Sequence, residues 1–231
     1  MAASAESRAI LRSPTASESP RSLRGALPVF LRFGSPRLLL ALLGGSLAVR
    51  LWLGGFSAWD LVPVAGLVLF WPLEEWLIHV FLLHAKPRRV FGRTLDFELP
   101  RKHREHHRDP WKLELIFIPM RSFLYSLPLL VLLWYAVTPS AALAWTGIAA
   151  HLALALNYEW VHFLVHTRVV PRTRTYQRLW KNHRRHHFKN EHYWFGVTML
   201  AGDRWLRTGP AHDAVPTSPT ARALEGAGAP D

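Results

Sequence analysis

Six of the chain's thirteen histidines fall within residues 157–195, NYEWVHFLVHTRVVPRTRTYQRLWKNHRRHHFKNEHYWF. His162 and His166 are four residues apart, so on a helix they project about 40° from one another and can grip one ion. His183, His186 and His187 follow at i, i+3 and i+4, an arc of roughly 100°, while Arg185 points to the opposite side. His103, His106 and His107 repeat that HxxHH spacing in RKHREHH, and His79 and His84 stand five apart in HVFLLH. A transition-metal ion commonly accepts about four to six donors, so ten clustered imidazoles imply two neighbouring ions. His151 and His212 stand outside the clusters as bystanders.

An imidazole must be neutral to ligate, and a metal-free cluster of this density would be partly protonated near pH ~6 and would repel itself. Two divalent ions among neutral donors also call for carboxylates just outside the ligand set, to hold ring N–H groups and offset charge. Glu75 lies four residues before His79, Glu159 three before His162, and Glu105 inside the HREHH tripod, so these three are expected in that role. Imidazole suits zinc, copper, iron and nickel alike, and no HExxH string of the zinc proteases is present. The chain has no cysteine, which excludes disulfides, zinc ribbons, iron–sulfur clusters and thiolate catalysis.

The elements that must carry these histidines are greasy runs. Half of the residues are hydrophobic yet the mean hydropathy is close to zero, because apolar stretches alternate with basic ones. Four runs are long enough to cross a bilayer: Leu38 to Phe56, interrupted by Arg50, which is expected to snorkel outward toward Asp60; Leu61 to Leu83; Leu115 to Val137; and Ala141 to Trp160. Short turns pair them into two helical hairpins. Residues 85–114 carry nine Lys and Arg against five acidic residues, whereas the hairpin turns carry only Asp60, so the positive-inside rule puts both termini and all four histidine elements in the cytoplasm. The same placement accounts for the net charge of +12 without nucleic acid as a partner. The expected fold is an all-α integral, multi-pass membrane protein whose cytoplasmic helical cap holds a histidine-rich dimetal site. Residues 1–36, rich in Ser, Pro, Ala and Arg, read as a disordered basic tail without a secretory signal, its LPVFLRF string lying on the membrane surface. Residues 37–210 form the membrane domain and residues 211–231 a flexible C-terminal tail.

From about Pro72 to Pro210 the chain resembles the fatty acid hydroxylase superfamily, which also contains sterol desaturases and carotenoid hydroxylases. The carriers are EEWLIHVFLLHAKP, RKHREHHRDPW, NYEWVHFLVH and KNHRRHHFKNEHYWFGVTMLAGDRWLRTGP. The HX4H start, the 18 residues between His84 and His103, and the HX3H element before the last tripod are most similar to fatty acid 2-hydroxylases. The resemblance implies the ligand set His79, His84, His103, His106, His107, His162, His166, His183, His186 and His187. It assigns His79, His84, His103, His107 and His186 to one ion and the other five to the second, with His192 outside the ligands or on the substrate side. It further implies two iron ions, replaceable by zinc on isolation, with O2 as co-substrate and a lipid acyl chain drawn from the bilayer into an apolar slot. Trp71, Trp76, Trp160 and Trp194 are expected in an interfacial belt rather than along that slot. With no HPGG string of a fused cytochrome b5 and no flavin or nicotinamide fingerprint, electrons are expected from a separate cytochrome b5-like or ferredoxin-like donor. That donor would meet a basic surface around Arg88, Arg89, Arg101, Lys102 and Arg184, a surface that anionic lipid explains equally well. The alternatives are a sterol or carotenoid desaturase or hydroxylase of the same superfamily, or a non-enzymatic zinc-binding membrane protein. A metal transporter is disfavoured, because its ligands would sit at mid-membrane on broken helices.

Overall fold

The fold is that of a computed structural model, which describes residues 19–222 and 224. It is mostly helical. In chain order the elements are α1 (Leu23–Phe30), α2 (Gly34–Leu53), α3 (Leu61–Leu77), β1 (Arg88–Val90), β2 (Arg93–Leu95), α4 (Glu98–Arg108), α5 (Phe123–Val137), α6 (Ala141–Val165), α7 (Arg174–Phe188) and α8 (Ala201–Trp205). With their short flanking turns, residues Gly34–Leu53, Ala58–Leu83, Leu113–Val137 and Ala141–Val165 are each long and apolar enough to cross a membrane.

Local chemistry sets the boundaries. Ser22 and Ser140 cap α1 and α6 by accepting from the amides of Gly25 and Leu143, and Thr173 caps α7 through the Tyr176 amide. Pro36 and Pro63 fall in first turns, where their missing N–H has no intrahelical partner to lose. Gly54 and Gly55 end α2 with φ of +59° and +63°, which a side chain would resist. Helix α6 is the hub, packing against α2, α3 and α5. It approaches α5 closely at Gly147, where a Cβ would lie inside the Trp134 indole. Leu39, Leu67, Trp71, Phe123, Trp134, Ile148 and Leu152 make the core between these helices.

Arg50 forms its expected pair with Asp60, but it does not reach solvent. Its guanidinium bonds Asp60 Oδ1 at 2.6 Å, Thr146 Oγ1 at 2.7 Å and the Gly54 carbonyl at 2.6 Å, so water is not needed to satisfy the charge.

The tails depart from expectation where they are described; residues 1–18 and most of 223–231 lie outside the described residues. From Ser19 the N-terminal stretch is ordered. Phe30 of α1 packs on Phe117, Trp160 and Phe163, so this helix caps a second core with its apolar side instead of lying free. At the other end, Val215 and Ala221 are buried and residues 216–222 run across the tripod helices. In both cases a few apolar residues find a protein surface, which outweighs a polar composition that reads as a tail.

Candidate metal centre

His79 and His84 leave the end of α3 through residues Ile78–Leu83, which wind as a π-helix. In an α-helix residues five apart diverge, but the i→i+5 turn stacks them, and the His84 amide donates to the His79 carbonyl at 3.1 Å. Helix α4 brings His103, His106 and His107, the end of α6 brings His162 and His166, and α7 brings His183, His186 and His187. All ten meet. His79, His84, His103, His107 and His186 form one set and His106, His162, His166, His183 and His187 another, with the candidate ligating nitrogens of each set within 4.8 Å of one another. With metal–nitrogen bonds of about 2.0–2.1 Å, ligands on opposite sides of one ion lie about 4.2 Å apart, so each set has the dimensions of a single coordination shell. The two sets adjoin, the rings of His107 and His187 being 4.1 Å apart centre to centre.

The chemistry of the donors fits a cation. The Nδ1 atoms of His79, His107, His162 and His186 lie 2.7, 2.8, 3.1 and 2.8 Å from the carbonyl oxygens of Phe195, Ala221, Ile116 and Tyr193. A carbonyl only accepts, so in each ring Nδ1 carries the proton and Nε2 keeps a lone pair aimed into the cluster. The Nε2 atoms of His79, His103, His106, His107 and His162 are buried with no hydrogen-bond partner among the described residues. Orphaned acceptors at this density are costly unless an ion takes them. Burial first, and neighbouring imidazoles second, hold His84, His103, His106, His166, His183, His186 and His187 well below the ordinary imidazole range; burial brings His107 down to about 3. At neutral pH these eight are therefore uncharged donors.

None of the three carboxylates expected to hold ring N–H groups does so among the described residues. Glu75 accepts from the amides of Val197 and Thr198 and the Thr198 hydroxyl, and Glu159 from the Ile118 amide at 2.9 Å and the Ser35 hydroxyl. Helical side chains lean toward the N-terminus, so a glutamate one turn earlier reaches away from the histidine that follows it. Glu105, two residues from His103 and therefore on the far side of α4, pairs with Lys102 at 2.8 Å. His192 is 70% exposed beside Glu191.

The groups that do hold the rings are backbone carbonyls, which residue type cannot reveal. The glutamates hold the carbonyl-bearing segments: Glu75 binds amides two and three residues beyond Phe195, and Glu159 the amide two residues beyond Ile116. Asp203, also unanticipated, accepts from the amides of Phe195 and Gly196, both at 2.9 Å, and from the Asn182 side chain at 3.0 Å. Its only signal was its place in the quoted AGDRW string.

Trp71 and Trp194 are buried inside the fold, and three of the four indole N–H groups find partners on loops. Trp71 and Trp76 donate to Thr198 and Thr208 at 2.9 Å each, Trp194 donates to the Pro210 carbonyl at 3.0 Å, and Trp160 packs edge-on against Phe30. Trp71 also lines an apolar cavity of about 240 Å³ between the long helices, with Leu39, Leu127, Leu130, Leu152 and Tyr158. The ring of Tyr158 lies 5.7 Å from that of His162, so the cavity abuts the histidine cluster. Arg184 is not part of an open basic surface. It is stacked on Trp180 and Trp111 and donates to the Val165 carbonyl, and burial lowers its guanidinium to about 10.

Four apolar helices, two of which end in histidines that join those of α4 and α7 in two sets, define a membrane protein of the histidine-cluster class. A family model described as fatty acid hydroxylase matches residues 64–208, and the chain belongs to that family. It is similar to the dihydroceramide fatty acyl 2-hydroxylase FAH2 of Arabidopsis thaliana, with 31% identity over 143 residues that make up 62% of this chain and 58% of that protein. It is also similar to the fatty acid 2-hydroxylase of Macaca fascicularis, with 28% identity over 144 residues, 61% of this chain and 37% of that one. This chain thus spans less than two thirds of either relative. Its fold is like that of full-length scs7p, of which only the hydroxylase domain is visible, with a TM-score of 0.59 and 22% identity over 89% of this chain and 73% of that one.

Proposed function

We propose that this protein hydroxylates the acyl chain of a membrane lipid, at a centre of two iron ions held by the ten histidines in the two sets described. The observation that carries the reading is the convergence of buried imidazoles, of which His79, His107, His162 and His186 have their outward nitrogens fixed on carbonyls and His79, His103, His106, His107 and His162 have inward nitrogens with no hydrogen-bond partner among the described residues. Bound there, iron supplies the activation of O2 needed to insert oxygen into an unactivated C–H bond, with electrons from a separate cytochrome b5-like or ferredoxin-like donor. Every other task falls to the chain. The carbonyls of Phe195, Tyr193, Ala221 and Ile116 fix the imidazole tautomers, Glu75, Glu159 and Asp203 hold the segments that present two of them, Phe195 and Ile116, and burial excludes water from the cluster. The cavity beside Tyr158 would take the acyl chain and present it to the cluster, where a misplacement of about 1 Å costs on the order of 100-fold in rate.

Two relatives named for 2-hydroxylation support an acyl carbon next to a carbonyl as the target, in preference to a sterol or carotenoid. The surplus of Lys and Arg in residues 85–114 supports a cytoplasmic centre with the helices arranged as two hairpins in a domain of residues 37–210. Lipid mass spectrometry of cells carrying the wild-type protein or His186→Ala tests this. A lipid species heavier by one oxygen is expected only with the wild type, and identical lipid profiles would refute the reading.

A further inference from the structure

The segment between His84 and His103 contains a feature the metal centre does not use. Strands β1 and β2 pair antiparallel, Arg88 with Leu95 and Val90 with Arg93, around a two-residue turn of Phe91 and Gly92. Both turn residues have positive φ, +49° and +74°, the geometry of the tight hairpin turn that favours Asn, Asp or Gly at its first position. A phenylalanine there is a strained choice, and its ring packs on nothing among the described residues: Phe91 is fully exposed, at 101%.

Val90, Leu95 and Phe97 are exposed beside it, and so are Lys86, Arg88, Arg89 and Arg93, none of which is ion-paired among the described residues. The one acid within residues 85–97, Asp96, is taken by Arg104 at 2.5 Å. A two-stranded hairpin is marginal by itself in water, and exposed aromatic and aliphatic side chains among unpaired cations are the composition of a bilayer-contacting surface. Its position agrees. The segment leaves the second span at Leu83 and re-enters helix at Glu98, and Leu82, Leu83 and Leu99, on its two flanks, line the apolar cavity. Phe81 and Leu82, at 62% and 53% exposure, continue the apolar surface onto that span.

We propose that residues 86–97 form a lipid-contacting lip at the mouth of the cavity. Phe91 and Val90 enter the interface of the leaflet, and Lys86, Arg88, Arg89 and Arg93 hold the headgroups of anionic phospholipids. The proposal rests on the spans and on this hairpin, not on the chemistry at the histidines, so its test does not read turnover.

Because the chain has no cysteine, Val90→Cys creates a single thiol next to an intact Phe91. Spin-labelled there, the full chain is placed in nanodiscs of phosphatidylcholine with or without phosphatidylserine. The label is expected to be several-fold more accessible to O2 than to a water-soluble nickel chelate, and more deeply immersed with phosphatidylserine. Adding Phe91→Ser should reduce the immersion, and adding Arg88→Gln, Arg89→Gln and Arg93→Gln together should abolish the response to phosphatidylserine. A label that behaves as fully aqueous in both bilayers would overturn the proposal and leave the hairpin to a soluble acidic partner. Immersion with no response to phosphatidylserine would overturn the assignment of the cations to headgroups.

Discussion

Glu75 and Glu159 perform the same task on different helices. Each precedes a histidine by one turn, and glutamate and histidine together grip one short stretch of neighbouring backbone, residues 195–198 for the first and 116–118 for the second. Removing either carboxylate strands buried amides, at about 1–3 kcal/mol each, and loosens the carbonyl that fixes one imidazole. Loss of such an outer partner typically costs about 10–100-fold in metal affinity. Glu75→Ala should therefore weaken the set containing His79 and Glu159→Ala the set containing His162, as read by metal titration of each purified variant; equal weakening of both sets by either substitution would contradict this. The histidines themselves were legible because i, i+3 and i+4 spacing is a property of side chains. Their carbonyl partners were not, since any residue supplies one, and charge arithmetic alone assigned Glu105 a role that its position on α4 does not permit.

At the scale of elements, the four apolar runs and the two tripod helices were readable from length and periodicity. The π-turn at Ile78–Leu83 was visible only as an awkward spacing of five, which makes a ligand pair once the helix widens. The C-terminal stretch was misread because few apolar residues mark it. Yet Ala221 supplies the carbonyl for His107, and Arg222 donates to the carbonyls of His107 and Arg108 at the end of α4. A chain ending at Asp213 should melt at lower temperature and lose metal from the set containing His107, whereas a flexible tail would leave both unchanged. Packing between α5 and α6 predicts that Gly147→Leu, which drives a side chain into Trp134, destabilises the fold by about 1–3 kcal/mol in a thermal or denaturant melt.

For the molecule as a whole, the buried imidazoles couple stability to pH. His84, His103, His106, His107, His166, His183, His186 and His187 are all held below their ordinary value by burial. An unfolded chain takes up protons on these groups near pH ~6.5 while the folded one does not, so below that value the unfolded state binds more protons. Stability is thus fully present above pH ~6.5 and declines as pH falls toward the folded values, and metal is released over the same range because ligation requires neutral rings. Melting midpoints of the detergent-solubilised protein should be level between about pH 7 and 8 and fall steadily below 6.5, together with metal content; midpoints indifferent to acid would contradict the burial of neutral histidines.

The central claim is that two ions share one nest of imidazoles, and elemental analysis combined with X-ray absorption at the iron edge tests it most directly. The account predicts about two metal ions per chain, each with a shell dominated by imidazole nitrogen. A single ion, or a shell dominated by carboxylate oxygen, would contradict it.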